Sequence, residues 1–429
     1  MKKETQNSKG DDSGLNKRST PDMNELIYDW NTIDGNLLSG TSEIEFDDET
    51  LRDGLQSPSV KDPSLEEKIE LLHLMEEIGI HTADVGLPGA GPRALSDVSA
   101  LVKEIVSNGM KITPNCAART VISDIQPIAE ISQEMGIPIE CCAFIGSSPI
   151  RVYAEEWSLD LMVKRTTEAV SFAHKEGLPV MFVTEDTVRA NPETLATLFG
   201  AAIDSGASRL CLCDTCGHAT PDGVKNLVRW TREFLSTRDE SIKLDWHGHR
   251  DRGLALPNAL AAIEAGVDRV HGTAMGIGER VGNLPMDLLL VNLRLLGVIN
   301  NDLTRLPEYV EKTAEYTGIP LAHNYPVVGE DAFRTGTGVH AAAVIKADAK
   351  GNEWLADRIY SGVPAGMVGK TQIIDIGPMS GKSNVIYWLR NEGIEPEKSL
   401  VDGIFDLAKL SDRILTRDEI MSVVENANS

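Results

Sequence analysis

The sequence predicts an α/β protein: a (β/α)8 TIM barrel followed by smaller, mainly helical C-terminal subdomains. Three observations carry this prediction. Eight short β-rich runs alternate with amphipathic stretches at a spacing of roughly 25 to 40 residues, the signature of parallel strands joined by helical crossovers. Charged and polar residues gather at the ends of five of those runs, where such barrels place their chemistry. The alternation stops near Asn300, which sets off the rest of the chain.

Residues 1–22 are rich in Lys, Asp, Ser, Asn and Gly and read as a disordered tail. The barrel is expected over 23–300. Its strands are predicted at Glu43–Asp48, Thr82–Gly86, Lys111–Cys116, Ile139–Ile145, Val180–Thr184, Arg209–Asp214, Lys243–His247 and Asp268–Thr273. The first helix opens with Ser64-Leu-Glu-Glu67, a capping box in which the Ser oxygen and the Glu carboxylate satisfy orphan N–H groups. Leu65, Ile69, Leu72 and Met75 follow at helical spacing, and Gly79 stops the helix. Asn258 to Val267 repeats the pattern. A helix is predicted over Asp302–Thr317 as part of a linker subdomain over 301–370. A helical subdomain is expected over 371–429.

Composition narrows the function. A net charge of -24 argues against nucleic-acid and anionic-membrane partners. The six Cys sit inside apolar runs rather than at loop spacings, which suits buried thiols in a reducing cytosol. Cys213-Asp-Thr-Cys216 has no second pair at zinc-ribbon spacing and no thioredoxin-like surroundings, so it reads as a coincidence at a strand end. No apolar run reaches transmembrane length. The polar N-terminus lacks the apolar stretch of a signal peptide, so a cytoplasmic location is expected.

His247-Gly-His249 closes the seventh run. Residues i and i+2 of a strand face the same side, so the two imidazoles converge. With a carboxylate they make a three-ligand facial site with open positions, which suits catalysis. Other strand ends carry Asp48-Glu-Thr-Leu-Arg-Asp-Gly-Leu-Gln56, Glu185-Asp186, Asp214-Thr215 and Gly276-Ile-Gly-Glu-Arg-Val-Gly-Asn283. Of the nine His, His73, His81, His174, His218, His271 and His323 read as structural. Glu279 reads equally well as a site residue and as a partner of Arg280.

Asp48-Glu-Thr-Leu-Arg-Asp-Gly, His247-Gly-His249 and Gly278-Glu-Arg-Val-Gly-Asn283 together resemble the three ordered signatures of the metal-dependent aldol-type synthases and lyases that act on acyl-CoA. That group includes the isopropylmalate, citramalate and homocitrate synthases and hydroxymethylglutaryl-CoA lyase. The likeness covers about residues 40 to 425 and is nearest to the 2-isopropylmalate synthases. The resemblance implies that Asp53, His247 and His249 bind a divalent metal (Mg, Mn or Zn), with Asn283 completing the shell directly or through water. It implies that Arg52, projecting to the other side of the chain from Asp53, stabilises charge on the carbonyl oxygen of a 2-oxo acid. Thr215 would hydrogen-bond the substrate carboxylate, and Glu185 would lie near the reacting acetyl group of acetyl-CoA. His340 and Tyr360 match the His and Tyr that family members supply from the C-terminal subdomain of a partner subunit, so a domain-swapped homodimer is implied.

Two positions depart from the family pattern. Cys142 stands where the synthases have a strand-4 His, so that role is not carried over. Arg250 replaces the Asn after the second metal His; it reads as a holder of a CoA phosphate or a partner of Asp251.

Within the family, the reactive Cys of the lyase is missing from 276–290, although Leu55-Gln56 echoes the lyase. Strands 2 to 5 offer no extra Lys or His for the distal carboxylate of a homocitrate-type substrate, leaving Arg119 and Arg151 as basic candidates. Val183, two residues before Glu185, leaves room for an isopropyl group, which favours 2-oxoisovalerate over pyruvate. The longer synthases continue into a leucine-binding domain. This chain stops at Ser429, so a form without leucine inhibition through that domain is expected. Two readings from other classes are weaker. A metal-dependent hydrolase barrel usually carries its His-x-His on strand 1, and a non-catalytic acyl-CoA-binding paralogue has no need of this full set of groups.

Overall fold

The computed structural model describes residues 26–33, 38 and 43–427. The chain divides into two units, Met1–Ser39 and Gly40–Ser429. The predicted tail over 1–22 lies outside the described residues. In the first unit a 3-10 turn, Trp30–Thr32, is capped by the Asp29 side chain, which accepts from the Asn31 N–H.

In the second unit eight parallel strands close into a barrel in sequence order. They are β1 (Glu45–Asp48), β2 (Thr82–Asp84), β3 (Thr113–Arg119), β4 (Glu140–Gly146), β5 (Val180–Glu185), β6 (Arg209–Asp214), β7 (Lys243–Gly248) and β8 (Arg269–Gly272). β1 pairs with both β2 and β8, and no edge is left open. All eight predicted strands are present, with no end displaced by more than three residues.

The helices around this barrel are α1 (Leu65–Glu77), α2 (Pro92–Asn108), α3 (Ile122–Met135), α4 (Pro149–Glu155), α5 (Leu159–Lys175), α6 (Pro192–Asp204), α7 (Pro221–Ser236), α8 (Ala255–Ala265) and α9 (Met286–Leu295). The capping box at the start of α1 forms as the sequence requires: Ser64 accepts from the Glu67 N–H, and Glu67 accepts from the Ser64 N–H. Gly79 takes the left-handed conformation at φ +85° after the helix.

Strand alternation divides the residues between two environments. Phe46, Trp246 and Val270 point outward and are buried under the helices. The inward positions are unusually ionic for a barrel of this kind. Near the N-terminal end, Arg209 binds Glu45 and Asp245, and Arg269 binds Asp245 and Glu140. Further along β4 to β6, Cys142, Met181, Cys211 and Cys213 form an apolar, sulfur-rich cluster against Val183.

After the barrel, α10 (Leu306–Thr317) packs on α1. Its Tyr309 is fully buried and donates to Asp48 of β1. A small parallel sheet follows, β9 (Arg334–Thr335) with β10 (Ile373–Ile374). The remaining helices are α11 (Gly338–Asp348), α12 (Glu353–Ala356), α13 (Lys382–Asn391), α14 (Lys398–Leu410) and α15 (Arg417–Ala427). The last three enclose their own core of Val385, Leu389, Ile404 and Ile420. Among the described residues no helix is long and apolar enough to cross a membrane.

Candidate active site

A cavity of about 280 Å³ opens at the C-terminal ends of the strands. Its lining includes Arg52, Asp53, Val183, Glu185, Thr215, His247 and His249, each of which the sequence singles out.

His247 is the penultimate residue of β7, and His249 lies one residue past the strand, bridged to Asn283. Their Nε2 atoms are 3.2 Å apart, and Asp53 Oδ2 lies 3.4 Å from one and 3.6 Å from the other. Donors on a single ion with bonds of about 2.1 Å stand roughly 3.0 to 3.4 Å apart, so this triangle is sized for a metal. Burial supports the same use. Asp53 Oδ1 and Asn283 Oδ1 are buried without a hydrogen-bond partner, a condition that a cation or its water would relieve. Burial, and then the proximity of His247, push the His249 imidazole down to about 4, which leaves it neutral and able to ligate at neutral pH. Asn283 is brought in by the strand-8 loop. At Gly278 (φ +150°) a Cβ would strike the Asn283 side chain, which explains the glycine in that motif.

Around the triangle lies a layer that the sequence reading did not single out. His247 Nδ1 is 3.1 Å from Glu49 Oε1, which fixes the tautomer that leaves Nε2 free to ligate. The same Glu49 oxygen is 2.7 Å from His271 Nδ1, while Glu49 Oε2 pairs with the Arg52 guanidinium. Burial works against the Glu49 charge, but Arg52 and His247 outweigh it and hold the carboxyl well below its usual range. His271 lines the cavity base between Glu49 and Asp245. It thus borders the site while filling the structural place that the sequence assigns to it. Burial opposes its charged form, yet Asp47 and the bonds to Asp245 and Glu49 keep it well above the usual histidine range.

Arg52 is held from two sides, by Glu49 and by Asp84 Oδ2 at 2.7 Å. Its Nη1 also lies 3.6 Å from Asp53 Oδ2. The expectation that Arg52 and Asp53 face opposite sides is therefore corrected. Both sit in a turn beyond β1, where strand alternation no longer applies.

Thr215 Oγ1 accepts the Asp186 N–H at 2.8 Å, so its own proton is free for a ligand. Burial pushes the Glu185 carboxyl up, against the pull of Arg151. Cys142, in place of the family His, lines the cavity, and burial raises its thiol well above the usual range. Arg151 reaches the cavity, whereas Arg119 is exposed and tied to Asp124. Glu279 lines the cavity and also lies 3.4 Å from Arg280.

Arg250 does not pair with Asp251. It donates to the backbone carbonyls of Val281 and Met275 and so braces the strand-8 loop. Asp251 is taken by Arg280. His340 and Tyr360 are outside the cavity of their own chain. Their rings stack on each other, with centroids 4.2 Å apart, on an exposed part of the post-barrel region.

Comparison with known proteins agrees with this geometry. Residues 43–311 match the family model described as HMGL-like. The chain is 31% identical to the homocitrate synthase AksA of Methanopyrus kandleri, covering 90% of this chain and 92% of that one. It is also 31% identical to a protein of Ignicoccus hospitalis named "Probable 2-isopropylmalate synthase", covering 93% and 96%. Among solved structures, the HMG-CoA lyase of Bacillus subtilis superposes with a TM-score of 0.55 at 22% identity, covering 67% of this chain and 97% of that one, a likeness of fold.

Proposed function

Because the chain belongs to the HMGL-like family, together with acyl-CoA-dependent synthases of 2-oxo acids, we propose that it is a 2-isopropylmalate synthase. It would condense acetyl-CoA with 2-oxoisovalerate (3-methyl-2-oxobutanoate) and hydrolyse the thioester, giving 2-isopropylmalate and CoA, the first step of leucine biosynthesis.

The observation that carries this reading is the Asp53–His247–His249 triangle beside Arg52, facing an apolar wall across one cavity. Asp53, His247 and His249 would hold a divalent ion, with Asn283 adjacent. When bound, such an ion supplies Lewis-acid polarisation of the 2-oxo acid carbonyl. The chain's own groups do the rest. Arg52, pinned between Glu49 and Asp84, faces the oxygen on which charge develops. Thr215 donates its free proton to the substrate carboxylate. Val183 and the cluster of Cys142, Met181, Cys211 and Cys213 take the apolar side chain. Glu185 borders the acetyl group. His340 acts as base for the acetyl methyl proton, with Tyr360 stacked beside it to fix the ring. Because the pair lies outside the cavity of its own chain, it would serve the site of a second copy in a domain-swapped homodimer.

One observation favours a second reading. Arg151, paired with Glu155 at 3.1 Å, lines the cavity, where it would meet the distal carboxylate of a dicarboxylic 2-oxo acid, as in a homocitrate synthase. Steady-state kinetics with acetyl-CoA and 2-oxoisovalerate, pyruvate or 2-oxoglutarate separates the two. The highest kcat/KM is expected with 2-oxoisovalerate. A preference for 2-oxoglutarate would transfer the assignment to the Arg151 reading, and a preference for pyruvate would make the enzyme a citramalate synthase.

A further inference from the structure

The three side chains of the metal triangle are not equally supported. His249 Nδ1 and Asp53 Oδ1 are buried and partnerless. Only His247 has its second polar atom held, by Glu49. The orientation of the cluster therefore depends on where the Glu49 carboxylate sits.

That carboxylate is a junction. One oxygen accepts from His247 Nδ1 and His271 Nδ1, and the other pairs with Arg52. His271 is bound at both ends, with Nε2 2.9 Å from Asp245 Oδ2. Asp245 is anchored in turn by Arg209 at 2.6 Å and Arg269 at 2.7 Å. A column of alternating charge thus runs along the barrel interior, from the arginines at the N-terminal end to the metal triangle and Arg52 at the mouth.

Glu49, His247 and His271 are also close enough to be considered as an ion site of their own. The geometry favours hydrogen bonding instead. The 2.7 Å between Glu49 and His271 is a hydrogen-bond length, shorter than the roughly 3.0 Å between adjacent donors on an octahedral ion. The Arg52 cation on the other carboxylate oxygen argues the same way.

Barrels of this class normally fill their interiors with branched apolar side chains. Apolar residues of similar volume often stabilise a fold as well as a buried ion pair does. Stability alone therefore gives no reason for this column. What it supplies is a fixed direction for groups at its upper end.

We propose that Glu49 is a positioning residue that sets His247 and Arg52 together, and that His271, braced on Asp245, holds Glu49 in place. The cation-binding imidazole and the carbonyl-facing guanidinium then share one anchor, so a disturbance at His271 reaches both. The proposal rests on the reading of Asp53, His247 and His249 as metal ligands.

The test is calorimetric titration of the chelator-stripped full-length protein with Co2+, together with the visible absorption of the Co2+-loaded protein, for wild type, Glu49→Ala and His271→Gln. The His249→Ala variant identifies the signal that belongs to the triangle. Both test variants are expected to lose about 10- to 100-fold in Co2+ affinity, the usual scale for groups that orient a metal ligand. Their visible bands should shift, and kcat at saturating Co2+ should fall by more than KM for the 2-oxo acid rises. If Glu49→Ala does not fold, His271→Gln alone decides. Folded variants with wild-type Co2+ affinity, spectrum and kcat would overturn the proposal. A wild-type protein that binds no Co2+ at the triangle would overturn the metal reading itself, and the proposal with it.

Discussion

Replacing Tyr309 by Phe removes one oxygen from a fully buried network that ties α10 to the catalytic end of β1. The Tyr309 hydroxyl donates to Asp48 Oδ2 and lies 3.1 Å from Thr50 Oγ1, which itself accepts the Ala274 N–H of the strand-8 loop at 2.9 Å. Asp48 Oδ1 keeps its bond from the Thr50 N–H at 2.8 Å, so the substitution strands one carboxylate oxygen rather than two. Leaving one buried acceptor without a donor costs about 1–3 kcal/mol, toward the upper end when the acceptor is charged. The pH dependence carries the sharper test. Burial raises the Asp48 carboxyl from 3.8 to about 6, and the bonds from Thr50 and Tyr309 pull the other way. Because the folded value lies above the unfolded one, the stability linked to this group is complete below about pH 4 and is lost as pH rises through about 6. Without the Tyr309 bond the folded value rises further. The deficit of Tyr309→Phe should therefore be small near pH 5 and reach its full size at pH 8. Urea midpoints of wild type and variant at those two pH values measure it. A deficit equal at both pH values, or under about 0.5 kcal/mol at pH 8, would refute the reasoning.

His247→Ala or His249→Ala should abolish metal-dependent turnover while leaving the far-UV circular dichroism of the barrel intact; wild-type turnover in either would remove the triangle from the mechanism. Mixing inactive His247→Ala protein with inactive His340→Ala protein should restore activity if the base comes from a second copy, and no recovery would place His340 elsewhere. Arg250→Ala should lower stability by about 1–2 kcal/mol through its two lost loop bonds. It should raise KM for acetyl-CoA no more than KM for the 2-oxo acid, whereas a selective rise for acetyl-CoA would assign Arg250 the CoA-phosphate role. Val183→Phe should depress kcat/KM for 2-oxoisovalerate more than for pyruvate; an equal loss would place the substrate side chain against a different wall.

The barrel was legible because alternation of β-rich runs and amphipathic helices is a local property. The run over Arg209–Asp214 matches its strand at both ends. The Asp53–His247–His249 triangle was legible because two of its members share one tripeptide and the third belongs to a short motif. Glu49, Asp84 and His271 were not, although Glu49 lies inside that same motif. Glu49 follows β1, Asp84 ends β2 and His271 lies in β8, and their relation exists only after the barrel closes. A lone His in an apolar run gives no sign of carboxylates above and below it. Arg250 escaped for another reason: its partners are backbone carbonyls, which leave no trace in residue type. Arg52 and Asp53 showed that strand alternation ends at the strand, since the turn after β1 brings both to one cavity.

Coenzyme A release measures the proposed condensation most directly. Chelator-stripped protein should release no thiol from acetyl-CoA with or without a 2-oxo acid. Returning Mg2+, Mn2+ or Zn2+ should restore release only when a 2-oxo acid is present, most strongly with 2-oxoisovalerate. No release with any 2-oxo acid in the presence of metal would contradict it, as would full release from the stripped protein.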